Sequence, residues 1–346
     1  MPAVRSCRST ILVGISFIFL LPGPIFLVSA HPSAIVTLAS PNPQLNGEFG
    51  YSVAISGSLV VVGAPEENVS GYTQAGSVYV FNAQTGALVA QLSDPNSQYY
   101  GEFGYFVAII GNDVVVGGNG NAYTFDAQTG TLIAIQQSPN SQDSESAGYS
   151  IATSGDIVVV GAPSANVSSD AYAGNANVSN ATTGALIANL RSPNLQYFGN
   201  FGEAVAASGN FVVVSAPGET VGGNSSAGRA YAFDAQTGAL VATLASASPE
   251  YNGNFGFSLA ISGSVAVVGA PGETVDGEAY AGRAYIFDVT PTAGSSTLSA
   301  AIVGSNSTSW LSVGAVVAVI AIVAGGLVLG ARRRRPRLLN PANTRA

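Results

Sequence analysis

The chain has 346 residues, 11 of them basic and 19 acidic, for a formal charge of −8, with one cysteine, one histidine and no lysine. A single cysteine excludes an intramolecular disulfide framework, and His31 near the start of the chain leaves a Ser-His-Asp or Cys-His catalytic arrangement without its base, so no enzyme is expected. The acidic residues all lie between Glu48 and Asp288, where only Arg191, Arg229 and Arg283 oppose nineteen carboxylates; that balance of −16 repels nucleic acid and anionic lipid and favours basic partners or divalent cations.

In chain order, residues 1–30 have the form of a secretory signal. Arg5 and Arg8 precede an apolar run, and Val28-Ser29-Ala30 forms a small-residue cleavage site before His31. Cys7 leaves with it. Residues 34–38 then alternate as a short strand. From Tyr51 the first copy of a repeat begins: an alternating segment at 51–55, a turn at 56–58 and a β-branched run at 59–62 predict a tight hairpin. A longer loop follows, then a strand at 77–81, a turn at 82–86 and a fourth strand at 87–92. In the equivalent turns Asp126 and Asp234 bond their own backbone, and Gly130 and Gly238 supply positive φ.

Phe-Gly doublets mark the copies at Phe49-Gly50, Phe103-Gly104, Phe201-Gly202 and Phe255-Gly256, with Ala147-Gly148 as a degenerate fifth. Each is followed by Gly-Ala-Pro, at Gly63-Ala64-Pro65, Gly161-Ala162-Pro163 and Gly269-Ala270-Pro271, or by the worn forms Ser215-Ala216-Pro217 and Gly117-Gly118-Asn119. The spacing of about fifty residues, filled with short strands, predicts a β-propeller with one four-stranded sheet per copy. The second copy is shorter because its long loop between Gly118 and Ala122 is missing.

These motifs resemble the FG-GAP repeat family, the propeller of integrin α-subunits and of many microbial membrane-anchored surface proteins. The resemblance covers about residues 34–288. It implies a β-propeller and extracellular binding or adhesion. Integrin-like calcium loops do not carry over, since the first hairpin loops, such as Ser56-Gly57-Ser58, lack clustered oxygen ligands. The "aspartate, alanine, any, threonine, glycine" turn also looks like that of quinone-dependent dehydrogenases, but the tryptophan usual after that turn is missing.

The expected fold class is therefore all-β, a five-bladed propeller over residues 31–289. The fifth copy lacks a fourth strand, so residues 34–38 are expected to close it. Residues 290–309 form a Ser/Thr/Ala/Gly-rich stalk and 310–331 a transmembrane helix long enough to cross a hydrocarbon core of about 30 Å. Residues 332–346 open on four arginines and are expected in the cytoplasm by the positive-inside rule. The membrane partner is the chain's own helix.

The connections after the second and fourth strands share one rim and are the longer ones. There Tyr99, Tyr100, Tyr197, Phe198 and Tyr251, with Glu219 and Glu273, are the expected contacts for an extracellular glycan or protein. No cofactor and no metal site are expected beyond weak calcium association at Glu273, Asp276 and Glu278. Among six sequons, Asn68, Asn166, Asn224 and Asn306 are the glycosylation candidates, and Asn177 stands where other copies have a strand tyrosine. Adhesion or recognition at the cell surface is the expected function. A structural envelope protein without soluble ligand is the alternative, and a polysaccharide hydrolase or lyase comes third.

Overall fold

The computed structural model describes residues 36–118, 120–137, 148–290 and 301–302. The described chain is all-β, and its twenty strands form five four-stranded antiparallel sheets, an arrangement consistent with a β-propeller. The first sheet is β1 (Ser52–Ser56), β2 (Leu59–Ala64), β3 (Ser77–Asn82) and β4 (Leu88–Leu92). The second is β5 (Phe106–Ile110), β6 (Asp113–Gly118), β7 (Asn121–Asp126) and β8 (Leu132–Gln137). The third is β9 (Ser150–Ser154), β10 (Ile157–Ala162), β11 (Asn175–Asn180) and β12 (Leu186–Leu190). The fourth is β13 (Val205–Ser208), β14 (Phe211–Ala216), β15 (Arg229–Asp234) and β16 (Leu240–Leu244), and the fifth is β17 (Ser258–Ser262), β18 (Val265–Ala270), β19 (Arg283–Asp288) and β20 (Ala301–Ile302). Strand order within each sheet follows the chain, as hairpin connections require.

Local chemistry sets the ends of these strands. Gly-Ala closes the second strand of the first, third and fifth sheets, and the proline that follows has no N–H to offer the ladder. Between the third and fourth strands the Asn or Asp of the turn caps it: Asn82 Oδ1 accepts from the N–H groups of Gln84 and Thr85 at 3.0 and 2.9 Å, and Gly86 turns out at φ 70°. Asp126 and Asp234 repeat the bond to their own threonines at 2.7 and 2.8 Å. These bonds to Thr129 and Thr237 hold both carboxyls below the usual aspartate range. Where the second copy lacks its loop, β6 and β7 are joined by two residues only.

The core lies between sheets. The trailing face of one sheet and the leading face of the next form one apolar cluster, as with Val61, Val78 and Val80 of the first sheet against Phe103, Val114 and Val116 of the second. The doublet controls how closely the sheets meet. Phe103, Phe201 and Phe255 are fully buried against the Tyr and Phe of their own third strands, with centroids 5.4–6.0 Å apart. Gly104 and Gly202, which follow Phe103 and Phe201, present their carbonyls to the preceding sheet. A Cβ on Gly63 would sit inside contact distance of the Gly104 carbonyl, and one on Gly161 inside that of Gly202. Ser52 and Ser150 donate to the same two carbonyls at 2.7 and 2.8 Å.

Closure of the last sheet differs from the sequence expectation. The fourth place beside β19 is taken by β20, through Tyr285↔Ile302 and Ile286↔Ala301, and not by the N-terminal segment. Residues 36–38 are not in a strand. Leu38 packs on Val62, Ala64, Tyr79 and Phe81 of the first sheet, and Ser40 donates to Glu67 at 2.5 Å. These contacts hold the segment on the first sheet, whose leading face meets no other sheet among the described residues, so it does not reach β19. Ala34 and Ile35 lie outside the described residues. So do the signal segment, the stalk from residue 291 apart from 301–302, the span 310–331 and the tail. Among the described residues no helix is long and apolar enough to cross a membrane.

The glycine contact yields a first prediction. Gly161→Ala drives a methyl into a backbone carbonyl that cannot swing away and should cost about 2–3 kcal/mol, the upper part of the overpacking range. At Gly269 the tight neighbour is only the mobile Ser258 hydroxyl, so Gly269→Ala should cost under about 1 kcal/mol by the same reasoning. Urea unfolding of dilute protein compares the two. Equal losses would mean that the fifth sheet's face is covered.

Candidate binding rim and inner cluster

The long loops after β2, β10, β14 and β18 are ordered by their own chemistry. Each narrows to a two-residue turn, closed by the pairs Val69↔Tyr72, Val167↔Asp170, Val221↔Asn224 and Val275↔Glu278. In the first, fourth and fifth sheets both turn residues have positive φ, as in Ser70-Gly71 and Asp276-Gly277, the geometry that matches the twist of a hairpin. In the first, third and fourth sheets the returning limb then binds the connection that enters the next sheet. Tyr100, Glu102 and Phe103 donate their N–H groups to the carbonyls of Thr73, Gln74 and Ala75 at 2.9–3.0 Å. Phe198, Asn200 and Phe201 do the same to Ala171, Tyr172 and Ala173, and Asn252, Asn254 and Phe255 to Ser225, Ser226 and Ala227. The rim is thus stitched through backbone.

This stitching fixes the predicted aromatics in exposed pairs. Tyr99 and Tyr72 meet edge to face at 5.2 Å, and Phe198 stacks on Tyr172 at 4.8 Å with Tyr197 at 4.3 Å from Phe198. Tyr99, Tyr100, Tyr197, Phe198 and Tyr251 are all exposed. Tyr72, Tyr172 and Tyr280 join them on the same rim and were missed. Their signal was present as tyrosines in corresponding long loops, but a loop alignment is needed to see that the loops fold back on the next connection.

The two carboxylates expected on the rim lie elsewhere. Glu219 and Glu273 are fully buried, as is Glu67. Glu219 accepts from Tyr231 Oη at 2.6 Å, Arg229 at 3.0 Å, Asn194 at 3.3 Å and Ser192. Glu67 accepts from Tyr79 Oη at 2.6 Å, and Glu273 from Tyr285 and from Arg283 at 3.3 Å. Burial, with the carboxylate beside it, pushes the Tyr79 phenol up to about 12 and raises Tyr231 and Tyr285 as well. These are buttresses beneath the loops, withdrawn from any ligand. The third sheet lacks both partners at once, with Ala165 for the carboxylate and Asn177 for the tyrosine, and Asn177 instead accepts from Asn189 at 2.6 Å. In the second sheet, which has no loop to supply a glutamate, the buried Asp94 lies beside Tyr123 and helps raise its phenol after burial itself.

Glu273 shares no ligand set with Asp276 and Glu278, for among the described residues no group of three or more His, Cys, Asp or Glu is placed to hold a metal ion. Asn68 and Asn166 are exposed, Asn224 donates to the Pro249 carbonyl at 2.9 Å, and Asn306 lies outside the described residues. Glu66, held by Gln74, is raised by burial and by the charges of Glu48 and Glu102 nearby.

A second polar group follows the doublets. Tyr51, Tyr105, Tyr149 and Glu203 each stand directly after a Phe-Gly or Ala-Gly, next to the first strands by which successive sheets touch. Tyr51 and Tyr105 lie 4.7 Å apart, Tyr105 and Tyr149 6.2 Å, and Tyr149 Oη donates to Glu203 at 3.0 Å. Burial raises the Glu203 carboxyl, against the bonds from Tyr149 and Asn200. A carboxyl raised on folding favours its protonated form in the native state, so stability falls as pH rises from the unfolded value of about 4.3 through the folded one. Glu203→Gln should therefore lose this dependence, and its melting temperature should gain on the parent more at pH 7 than at pH 4; melting curves at both values check it.

Residues 35–81 and 240–287 match the FG-GAP repeat family. No curated protein matches the chain. Among solved structures, the computationally designed Ika8 protein is 21% identical with a TM-score of 0.48, covering 69% of this chain, and the computationally designed Ika4 protein is 20% identical with a TM-score of 0.41, covering 59% of this chain and 99% of its own. The chain spans 57% of the length of Ika8.

Proposed function

We propose that the chain is a recognition module of the cell surface, a five-bladed integrin-like propeller that offers its rim of paired aromatics to an extracellular glycan or protein. The observation that carries this is the exposure of Tyr99, Tyr197 and Tyr251, each 61–68% accessible, on loops whose backbone is bonded to the neighbouring sheet. Rigid exposed rings give large contact area at small entropic cost, and their faces suit sugar rings or apolar side chains. Soluble proteins seldom leave so many rings in the open without use for them. Catalysis plays no part in this proposal.

Two double variants test it. Tyr99→Ala with Tyr100→Ala, and Tyr197→Ala with Phe198→Ala, should each weaken attachment to the natural surface roughly thirtyfold, the fall expected when a hot spot worth about 2 kcal/mol is lost. Their melting temperatures should stay near that of the parent. Normal attachment by both would favour the structural envelope protein, and release of reducing ends from polysaccharide by the parent would favour a hydrolase.

The anchoring part of the proposal rests on sequence: a cleaved signal at 1–30, an outer body, a stalk within 290–309 from which Ala301–Ile302 join the fifth sheet, a single span at 310–331 and an arginine-rich inner tail. Protease added to intact cells should remove the propeller and spare a tag placed after Ala346. Protection of the propeller with loss of the tag would overturn the topology.

A further inference from the structure

Each internal junction joins a trailing face to a leading face, and the chain ends with one of each left over. On the first sheet, Phe49 is only half buried where Phe103, Phe201 and Phe255 are fully so, and Val53 and Ile55 are 65% and 67% exposed. Their counterparts Val107 and Ile109 pack on the preceding sheet. Gly50 has nothing within 4 Å of the place its Cβ would occupy, although Gly104 and Gly202 are pressed against the sheet before them.

The fifth sheet lacks the complement. Ala284 is exposed and Val267 and Ile286 are half covered, whereas Val78, Val61 and Val80 in the same places of the first sheet are buried. No incoming carbonyl approaches Gly269. Gly282 has no incoming phenylalanine backbone against it, as Gly76, Gly174 and Gly228 have. The carbonyls of Ala279, Tyr280 and Ala281, and the N–H groups of Asn46, Glu48 and Phe49, make none of the three bonds that stitch the other loops to the next connection.

We propose that these halves meet between molecules: the fifth sheet of one copy seats the first sheet of a second copy, joining the chains head to tail. The occupant is set by the chain's own repetition, since each uncovered face is a copy of a face already mated inside the molecule. Joining the two ends of one chain would require the existing junctions, fixed by backbone contact at Gly63, Gly117 and Gly161, to turn together. A second copy asks no movement of them. The N-terminal segment is already in place for it. Val36 and Leu38 lie against Gly86 as the fourth strand of the first sheet lies against Gly130, so in the joined pair they take the place beside β19 of the other copy and displace β20, which makes only two residue pairs there. Such a heterologous contact builds a ring if its rotation closes and a filament if it does not. It does not depend on what the rim binds.

The test uses full-length chains in membranes, carrying Cys7→Ser so that only introduced thiols remain. Asn46 and Tyr280 occupy the places of Phe198 and Tyr172, whose rings stack at 4.8 Å within the chain. Co-expressed chains with different tags, one bearing Asn46→Cys and the other Tyr280→Cys, should form a disulfide joining both tags under mild oxidation. Its yield should approach that of an internal control bearing Tyr172→Cys and Phe198→Cys, and should fall at least tenfold when Val53→Asp is added to the Asn46→Cys chain. No product joining the tags while the control links would overturn the proposal. So would a chain carrying both Asn46→Cys and Tyr280→Cys that links only within itself, which would mean that the propeller closes its own ring.

Discussion

The approach of a glycine carbonyl in one sheet to a glycine of the sheet before it is the contact on which the rest depends. Without a side chain at Gly63 or Gly161 the incoming Gly104 or Gly202 backbone can come close enough for a serine of the first strand to bond it. That spacing lets Phe103 and Phe201 enter fully and lets the apolar faces of neighbouring sheets meet. A methyl there would push two sheets apart along their whole length. The repeated motif is therefore a device for setting the distance between sheets, and its phenylalanine and glycine act together.

The same spacing determines what the rim can be. Because the long loops of the first, third and fourth sheets are bonded to the connection entering the next sheet, their tips have few ways to move. Beneath it, a buried carboxylate and a strand tyrosine hold the loop's root, at Glu67 with Tyr79 and at Glu219 with Tyr231. Burial of a charge without partners would be costly, and the third sheet loses carboxylate and tyrosine together, while in the second the buried Asp94, from the connection after β4, lies beside Tyr123. Rigid roots beneath exposed rings are what a preorganised binding surface requires.

Much of this was legible in the sequence. The four strands of the first four repeats, the capped turn after the third strand, the shortened second copy and the placement of Tyr99, Tyr197 and Tyr251 all follow from alternation, turn chemistry and repeat spacing, which act locally, whereas β20 lies in the segment expected as a stalk. The exceptions depend on contacts distant in sequence. Glu219 and Glu273 have the composition of rim residues, but tyrosines twelve residues later draw them inward. Strand 34–38 has the right pattern to complete a sheet, yet Glu67 and the apolar face around Leu38 hold its successors on the first sheet. Matching patterns show that two pieces fit, but not whether they belong to one molecule.

The account rests on junctions that are made within the chain and one pair of halves that is not. Native-state hydrogen exchange on dilute, monomeric protein tests this residue by residue, because the same backbone position occurs in made and unmade form. The N–H groups of Glu102, Phe103, Asn200, Phe201, Asn254 and Phe255 should be protected, and those of Glu48 and Phe49 should exchange freely. Equal protection of Glu48 and Phe49 in the monomer would contradict the account, for it would mean that the first and fifth sheets already meet in a single chain.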